Sequence, residues 1–434
     1  MAHEGFAART FVVFNPGSHP APKWIAASLA AEHKLTRYWT SGQIRSDEVG
    51  TRAFRLLPVR VRAELKNRTL PPALLASFVG RAGTLRDLVA TAVKRKGWIN
   101  LERRIMYSRN RAIARRAVRH WRRHDRTSWF FFPTNTHSGI SRLCVKNNIP
   151  FLLYTPLPFA PVAEAMMDAE ANSNPEWAQF LQFRNEDKLA SDPDALFEAS
   201  HASGVVANSE FTARSFDGIV DAGNVHSVPL SINLRRFEES GLRLAATRTT
   251  RGLDEPLRII YAGQVTQRKG LSYLFEALQD LHGVAKIELT IVGPDPLGMA
   301  IPLQQRFPDV DVRFAGSLAQ EKLWKEMAAS HLFVFPTLLD GFGNVLAEAL
   351  AVGLPVLSTD RCGILDLGAV PRAALLADAG DSEALRIHLR NLYLDEGARI
   401  VLSAGTSDLD FGGGDWATYG HRVAELLSNS KTGS

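Results

Sequence analysis

The chain is poor in cysteine and has no long apolar run. Its two cysteines, Cys144 and Cys362, stand far apart among 434 residues. Their number and spacing exclude a disulfide framework and a cysteine zinc cluster, and favour a reducing compartment. No apolar stretch reaches the roughly 18 residues of a membrane span, and the first sixteen residues lack a secretory pattern. We therefore expect a cytoplasmic protein, either soluble or resting on the inner face of the membrane.

Extremes of composition are also missing. Apolar residues make up 45% and charged residues 22% of the chain, which excludes wholesale disorder and a fibrous fold. The net charge of +6 is unevenly spread, because residues 94–126 hold thirteen Lys or Arg against two acidic residues. We call this segment the cationic belt. Its interleaved apolar residues predict an amphipathic surface that lies on anionic lipid. A solvated face and a nucleic-acid surface are the alternatives, although its aromatics are too few for a stacking platform.

The second half of the chain alternates short apolar runs with helical patterns. The runs are continuous and end at Gly263, Gly293, Gly316, Thr337 and Thr359. Continuous runs of this length are typical of parallel strands buried on both faces. Their alternation with helices predicts a doubly wound parallel sheet.

The first half repeats this pattern less clearly. Its apolar runs are TFVVFN, SWFFFP, IPFLLYT, GVVANS and VHSVPL. We predict a first domain over residues 1–237, a polar linker over 238–255, a second domain over 256–415, and a closing helix with a tail over 416–434. Ligands of doubly wound sheets bind beyond the carboxyl ends of the strands, so we expect the site in the cleft between the domains.

One loop combines glycines with two carboxylates. The segment Asp340-Gly341-Phe342-Gly343-Asn344-Val345 follows a strand and opens a helix that contains Glu348. The glycines let the backbone approach a ligand, and the first amides of the helix point towards it. Glu348 lies beside apolar residues and requires a hydrogen-bond donor such as a diol. The alternative is an ordinary turn followed by a helix glutamate.

A second loop carries two cations before a helix. Gly263 ends a strand, and Arg268 and Lys269 precede the helical pattern that begins at Leu271. Cations at a helix N-terminus oppose its dipole, but a bound anion would reverse the sign of that interaction. A diphosphate is the natural candidate, and a solvated Arg–Lys pair is the alternative.

Together these segments resemble the family 4 glycosyltransferases of GT-B fold. The resemblance covers most of residues 200–430 and is specific over 258–360, in YAGQVTQRKG, LTIVGPDP, VRFAGSL and FVFPTLLDGFGNVLAEALAVGLPVLSTD. It is loose over residues 1–200. It implies two Rossmann-like, doubly wound α/β domains that face each other across a cleft.

The resemblance also implies roles for the loop over residues 340–345, which we call the carboxylate loop. The family binds its nucleotide-sugar donor with a Glu-x7-Glu motif, whose two positions here are Asp340 and Glu348. By resemblance, Asp340 contacts the sugar and Glu348 takes the ribose hydroxyls. The amides of residues 341–345 face the sugar and the phosphate.

The loop over residues 263–270, which we call the phosphate loop, departs from the family at one position. Lys269 matches the family's lysine, whereas Gln264 stands where the family commonly has arginine. We expect Arg268 to supply part of that charge. The resemblance places Gly293 and Ser317 near the nucleotide base.

The first domain offers fewer candidates. Gly17 is expected to let its loop approach the diphosphate across the cleft. Leu157 stands where many relatives carry a histidine, so His137 is a candidate catalytic residue, with His19 a similar one. The alternative for His137 is a helix-entry histidine with no chemistry.

The resemblance implies a glycosyltransferase that moves a hexosyl unit from a nucleoside-diphosphate sugar to a glycan or lipid-linked acceptor, with retention. Cell-surface polysaccharide or glycolipid synthesis is the expected setting. We expect no cofactor and no metal requirement, because Arg268, Lys269 and the helix N-terminus supply positive charge. The alternatives are a nucleotide-sugar epimerase of the same fold and a catalytically silent lipid- or nucleotide-binding module.

Overall fold

The strands of the protein form two separate parallel sheets. The structure is a computed structural model, and it describes residues 9–17, 19–41, 69–74, 78–81, 89–90, 93, 98–181, 194–230, 232–248, 250–252, 254–411 and 415–429. Seven strands lie in the first sheet and six in the second. The predicted α/β fold of two doubly wound domains is confirmed.

The first sheet has the order β3-β2-β1-β4-β5-β6-β7. Successive residues of β1 pack into two different core clusters, Phe11 and Val13 on one face, Val12 and Phe14 on the other. Both faces of the sheet are therefore covered, which explains the continuous apolar runs. Its strands are β1 (Phe11–Asn15), β2 (Leu35–Thr40), β3 (Val79–Arg81), β4 (Trp129–Pro133), β5 (Phe151–Thr155), β6 (Gly204–Ala207) and β7 (Val225–Ser227). The helices described in this half are α1 (Pro20–Ala31), α2 (Ile99–His124), α3 (Ile140–Lys146), α4 (Ala160–Ser173), α5 (Ala195–His201), α6 (Glu210–Arg214) and α7 (Leu234–Glu239).

The second sheet has the order β10-β9-β8-β11-β12-β13. Its chain reversal between β8 and β11 creates the switch point at which doubly wound sheets bind ligands. The strands are β8 (Leu257–Ala262), β9 (Ile287–Val292), β10 (Val312–Gly316), β11 (Leu332–Phe335), β12 (Val356–Ser358) and β13 (Ala374–Leu376). The helices are α8 (Leu271–Asp280), α9 (Ala300–Arg306), α10 (Gln320–Ala328), α11 (Asn344–Val352), α12 (Ser382–Leu394), α13 (Glu396–Ala404) and α14 (Trp416–Asn429). Short 3-10 turns lie at Ala178–Phe180, Ala222–Asn224, Ala245–Arg248, Gln267–Lys269, Leu365–Leu367 and Gly405–Asp408.

Three strands have no counterpart among the predicted runs. The strand β2 is interrupted by polar residues, and its Arg37 guanidinium lies 5.7 Å from the Trp39 ring. The strands β3 and β13 have only three residues each. Such short or mixed strands lack the continuous apolar signal from which the others are predicted.

The segment predicted as the linker is packed. The Leu244 N–H donates to the Ala351 carbonyl at 3.0 Å, and the Arg243 Nη1 donates to the same carbonyl at 3.0 Å. These bonds attach residues 243–244 to α11. The limits of the domains stay a prediction.

The last helix crosses back to the first domain. The Arg422 side chain of α14 donates to the Pro229 carbonyl, and the Ser428 hydroxyl donates to Glu32 at 3.3 Å. The closing helix therefore ties the two ends of the described chain together. Among the described residues, no helix combines the length and apolarity needed to cross a membrane.

Candidate active site

The carboxyl ends of β8, β9 and β10 form one rim of the site. The Gly263 N–H donates to the Val292 carbonyl and the Gly293 N–H to the Gly316 carbonyl, both at 2.9 Å. These bonds keep the three strand ends in line. Ser317, exposed directly after β10, completes this rim.

Arg268 and Lys269 occupy a 3-10 turn between β8 and α8. Their exposed fractions are only 8% and 6%, so the structure does not support a solvated pair. The Arg268 Nη1 donates to the Leu339 carbonyl at 2.7 Å. The Leu338 N–H donates back to the Arg268 carbonyl at 3.0 Å. The phosphate loop and the carboxylate loop are therefore joined directly.

The carboxylate loop enters α11 through Gly343. This residue has a φ of +79°, a left-handed conformation that favours glycine. No side chain caps the helix, so the first amides of α11, those of Asn344 and Val345, stay available to an acceptor. The loop thus provides the uncapped helix N-terminus that the sequence predicts.

Lys269 and Asp340 form an ion pair inside the site. The Lys269 Nζ lies 2.5 Å from the Asp340 Oδ2, and the Gly341 N–H donates to the Asp340 Oδ1 at 2.8 Å. Burial alone would raise the pKa of the Asp340 carboxyl, but the charges of Lys269 and Arg268 and these hydrogen bonds hold it below its ordinary value. Burial lowers the pKa of Lys269, although Asp340 opposes that change. Arg268 and Lys269 thus place two positive charges in the site, beside the carboxylates of Asp340 and Glu348.

Glu348 lies one and a half turns into α11 and has protein donors on both oxygens. The Trp324 Nε1 donates to its Oε2 at 3.0 Å, and the Gln320 side-chain amide donates to its Oε1 at 3.1 Å. Burial raises the pKa of the Glu348 carboxyl, while these two bonds and the charge of Arg236 oppose the rise. The hydrogen-bond donors that Glu348 is predicted to require are thus supplied in part by α10.

These residues line one pocket of about 460 Å³. Ten of the fourteen predicted site residues are in its lining, and the two loops face each other across it. They are Gly263, Arg268, Lys269, Gly293, Ser317, Asp340, Gly343, Asn344, Val345 and Glu348. Gly341 and Phe342 lie in the same loop but outside the lining, because their side of the loop is packed against protein.

A larger cavity of about 1060 Å³ lies beside α4, and its lining includes Met166, Glu170, Tyr273 and Arg361. None of the fourteen predicted residues lines it. We therefore place the candidate active site in the smaller pocket, where cations, carboxylates and free amides converge.

Two predicted residues of the first domain are outside the pocket lining. Gly17 is exposed after β1, and the preceding Pro16 carbonyl accepts from the Arg109 Nη2 at 3.0 Å. The His137 ring lies 4.4 Å from the Tyr107 ring, and its backbone has a φ of +47°. Both residues sit at the carboxyl edge of the first sheet, and their roles stay predictions.

The two other positions named for the first domain differ in character. Leu157 is half-buried, and its carbonyl accepts from the Thr155 hydroxyl. Burial lowers the pKa of His19 to about 4, and its Nδ1 accepts from the Ala21 N–H at 3.3 Å. His19 is therefore neutral at pH 7 and caps α1.

The first domain contacts the phosphate loop through α4, which the sequence does not predict. Glu170 accepts from the Gln267 side chain and from the Tyr273 hydroxyl, both at 2.8 Å. Gln267 directly precedes Arg268. A carboxylate of the first domain thus holds the turn that carries both cations.

A second contact between the domains reaches the carboxylate loop. The Gly341 carbonyl accepts from the Ser209 hydroxyl, and from the Thr212 hydroxyl at 3.2 Å. A Cβ on Gly341 would lie 1.8 Å from the Pro156 carbonyl oxygen, so glycine is required for this approach. These contacts join residues 132 and 129 positions apart, for which the sequence has no local signal.

The cationic belt is mainly one helix, α2. Its Ile113 and Trp121 are buried against the first sheet, and its opposite face carries exposed arginines. They are Arg104, Arg111, Arg115, Arg116, Arg119, Arg122 and Arg123. Residues 94–97 of the belt lie outside the described residues.

Among the described residues, no three His, Cys, Asp or Glu side chains converge as a metal site would require. The absence of a metal requirement stays a prediction.

Comparison with known proteins gives a consistent picture. Residues 256–395 match the family model described as Glycosyl transferases group 1. The chain is similar to the amylovoran biosynthesis glycosyltransferase AmsK of Erwinia amylovora, with 31% identity over 35% of this chain and 40% of the relative. It is also similar to the putative colanic acid biosynthesis glycosyltransferase WcaL of Escherichia coli, with 27% identity over 40% of this chain and 44% of the relative. The matches thus span less than half the length of these relatives.

Structural similarity extends over nearly the whole chain. The crystal structure of Anabaena Alr3699/HepE in complex with UDP aligns with a TM-score of 0.60 at 14% identity, covering 97% of this chain and 100% of that one. Identity at this level establishes a shared fold and nothing finer. The chain has the GT-B fold, and its matches support a place in a GT-B glycosyltransferase family.

Proposed function

We propose that this protein transfers a hexosyl unit from a nucleoside-diphosphate sugar to a glycan or lipid-linked acceptor, with retention of the anomeric configuration. The setting we propose is cell-surface polysaccharide or glycolipid synthesis in the cytoplasm. The relatives named for amylovoran and colanic acid biosynthesis support polysaccharide synthesis, and the UDP complex of the structural neighbour supports a nucleotide donor.

One observation carries the proposal: a single pocket joins Arg268, Lys269 and the uncapped N-terminus of α11 to two carboxylates. Cations and free amides suit a diphosphate, whereas carboxylates suit sugar hydroxyls. A nucleoside-diphosphate sugar presents both groups in one molecule. In this proposal Asp340 contacts the sugar and Glu348 the ribose.

The chemistry requires charge stabilisation at the leaving group. The bond between the anomeric carbon and the diphosphate oxygen breaks, and a bond to the acceptor oxygen forms on the same face of the sugar. The acceptor hydroxyl gives its proton to the departing phosphate, so no side-chain base is needed. Arg268, Lys269 and the α11 amides stabilise the growing negative charge, and removal of one such donor typically costs about 3 kcal/mol. We therefore propose that transfer needs no metal.

The acceptor side is proposed to lie at a membrane. The arginines on the exposed face of α2 form a surface suited to anionic headgroups, at roughly 1 kcal/mol for each cation near the bilayer. A lipid-linked acceptor in that bilayer would be presented to the cleft from the first domain.

The experiment is a donor panel with matched acceptor arms. The full chain is incubated with UDP- and GDP-sugars, with and without lipid-linked acceptors, and with EDTA or Mg²⁺. We expect diphosphate release to rise when acceptor is added and to persist in EDTA. NMR of the product should show that the anomeric configuration of the donor sugar is retained. Release of an altered free sugar without acceptor would instead identify an epimerase, and absence of donor binding in calorimetry would overturn the proposal.

A further inference from the structure

Trp324 on α10 directs its only polar atom at Glu348 on α11. The side chain is 2% exposed, and its Nε1 donates to the Glu348 Oε2 at 3.0 Å. An indole is a donor and never an acceptor, so this bond is satisfied best when the carboxylate is ionised. The bond joins two helices, 24 positions apart in the chain.

The indole is itself packed against two residues of α7. The Phe237 ring lies 4.0 Å from the Trp324 ring, and the Arg236 guanidinium lies 5.3 Å from its centroid. Arg236 also donates to the Gln320 side-chain oxygen at 2.9 Å, which turns the Gln320 amide nitrogen towards Glu348. Both hydrogen-bond donors to the Glu348 carboxylate are thus held in place by residues that lie outside the candidate active site, which we call the donor pocket.

With the bonds from Trp324 and Gln320 in place, the Glu348 carboxylate can still accept hydrogen bonds from a ligand. A carboxylate offers about four acceptor positions, and Trp324 and Gln320 use two of them. Glu348 lines the donor pocket and also a neighbouring cavity of about 330 Å³. The charged groups that share these two spaces are Arg236 and Asp415 on one side and Arg268, Lys269 and Asp340 on the other.

We propose that Trp324 is a positioning residue for donor binding, which with Gln320 orients the Glu348 carboxylate and keeps it ionised for the ribose hydroxyls. This inference rests on the proposed function, because it assigns a partner to the residue that would hold the donor. Trp324 acts through Glu348, and it does not itself line the pocket proposed for the donor.

The test replaces Trp324 by Phe, which keeps an aromatic ring and removes the N–H. The matched control is Trp121→Phe, because the Trp121 Nε1 is also a buried donor, to the Ser128 carbonyl at 2.9 Å in the first domain. Gln320→Leu removes the second donor at an exposed position. UDP and GDP affinities of the full chain are measured by calorimetry from pH 5 to 8, alone and in a Glu348→Gln background.

We expect W324F to weaken donor affinity about tenfold, because the lost hydrogen bond is made to a charged group and such bonds contribute more than neutral ones. The pKa of Glu348 should rise further without this bond, so the loss of affinity on acidification should begin at higher pH. In the Glu348→Gln background, W324F should add little, because both changes act through one carboxylate. The Q320L variant should shift the pH profile in the same direction, and W121F should not shift it.

Two outcomes overturn the inference and are distinguishable. If the wild-type chain binds donor but W324F matches W121F in affinity and pH profile, or adds its full loss to E348Q, Trp324 does not position Glu348. If the wild-type chain binds neither nucleotide, the proposed function fails and this inference fails with it.

Discussion

Substitution of Lys269 by Met tests the electrostatics of the candidate site. The Lys269 Nζ is paired with Asp340 at 2.5 Å, with side-chain exposures of 7% and 18%, and lies 4.8 Å from the Phe335 ring centroid. Methionine keeps most of the length and the contact with the ring but removes the charge. The variant therefore isolates the cation from the packing.

The expected loss of stability follows from the burial of the pair. Removing one partner of a buried ion pair costs about 3–5 kcal/mol, because the other charge is left without compensation. Asp340 keeps Arg268 nearby and the Gly341 N–H, so we expect the lower end, about 3 kcal/mol. Replacing both partners, as Lys269→Met with Asp340→Asn, should return most of that stability, because neither member of the pair is left as a charge without the other.

Binding should not recover in the double variant. Lys269 is proposed to face the diphosphate, and loss of one such donor costs about 3 kcal/mol, or roughly a hundredfold in transfer rate. We therefore expect both variants to lose transfer activity, while only the single variant loses stability. If Lys269 had only a structural role, the folded K269M variant would instead keep wild-type transfer activity.

Thermal melting by circular dichroism measures stability, diphosphate release in the presence of acceptor measures transfer activity, and calorimetry measures donor binding. The control is Lys34→Met, which breaks the partly exposed pair with Glu32 and should cost less than about 1 kcal/mol without affecting binding. The pKa of Asp340 lies below its ordinary 3.8, so its contribution to stability is present above that pH and is lost as pH falls through the native pKa. The difference in melting temperature between wild type and K269M should therefore become smaller at acidic pH, where Asp340 is protonated. Wild-type donor affinity in K269M would refute the assignment of the cation.

The remaining predictions concern the ribose, the membrane and the domain contact. Glu348→Ala should weaken donor binding at least tenfold and leave the fold intact, at a cost in stability of about 1–3 kcal/mol because the buried Trp324 N–H loses its acceptor. Unchanged donor affinity would remove the ribose role of Glu348. Charge reversal of four belt arginines should abolish sedimentation with anionic vesicles and spare donor hydrolysis, whereas equal sedimentation would return the belt to a solvated face. The four positions are Arg115, Arg116, Arg122 and Arg123. Glu170→Ala removes the acceptor shared by Gln267 and Tyr273, and should enlarge the radius of gyration in solution X-ray scattering; an identical profile would contradict this.

The parts of the site that could be predicted have local signals. Arg268 and Lys269 after a strand glycine indicate the phosphate loop, and Gly343 before an apolar helix indicates the carboxylate loop. Both are features of consecutive residues, so spacing is sufficient to detect them. Most strands are found for the same reason, since burial on both faces leaves a continuous apolar run.

The parts that could not be predicted depend on distant residues. Nothing near Trp324 in the chain indicates that its N–H reaches Glu348, because the contact arises from the packing of α10 against α11. The same holds for Glu170 and Gln267, which are 97 positions apart. The first domain shows this most clearly, since the environment of His137 is set by Tyr107 on another element.

Two of the contacts between the domains end on the two loops of the pocket. Glu170 holds Gln267, next to the cations, and the Ser209 hydroxyl holds the Gly341 carbonyl, next to Asp340. Rotation of one domain against the other would therefore strain both loops at once. Under the proposed function, a donor bound between the loops would favour the arrangement in which both contacts are made, and by linkage those contacts would strengthen donor binding by the same factor. The pocket lies in the second domain, but its geometry depends on both.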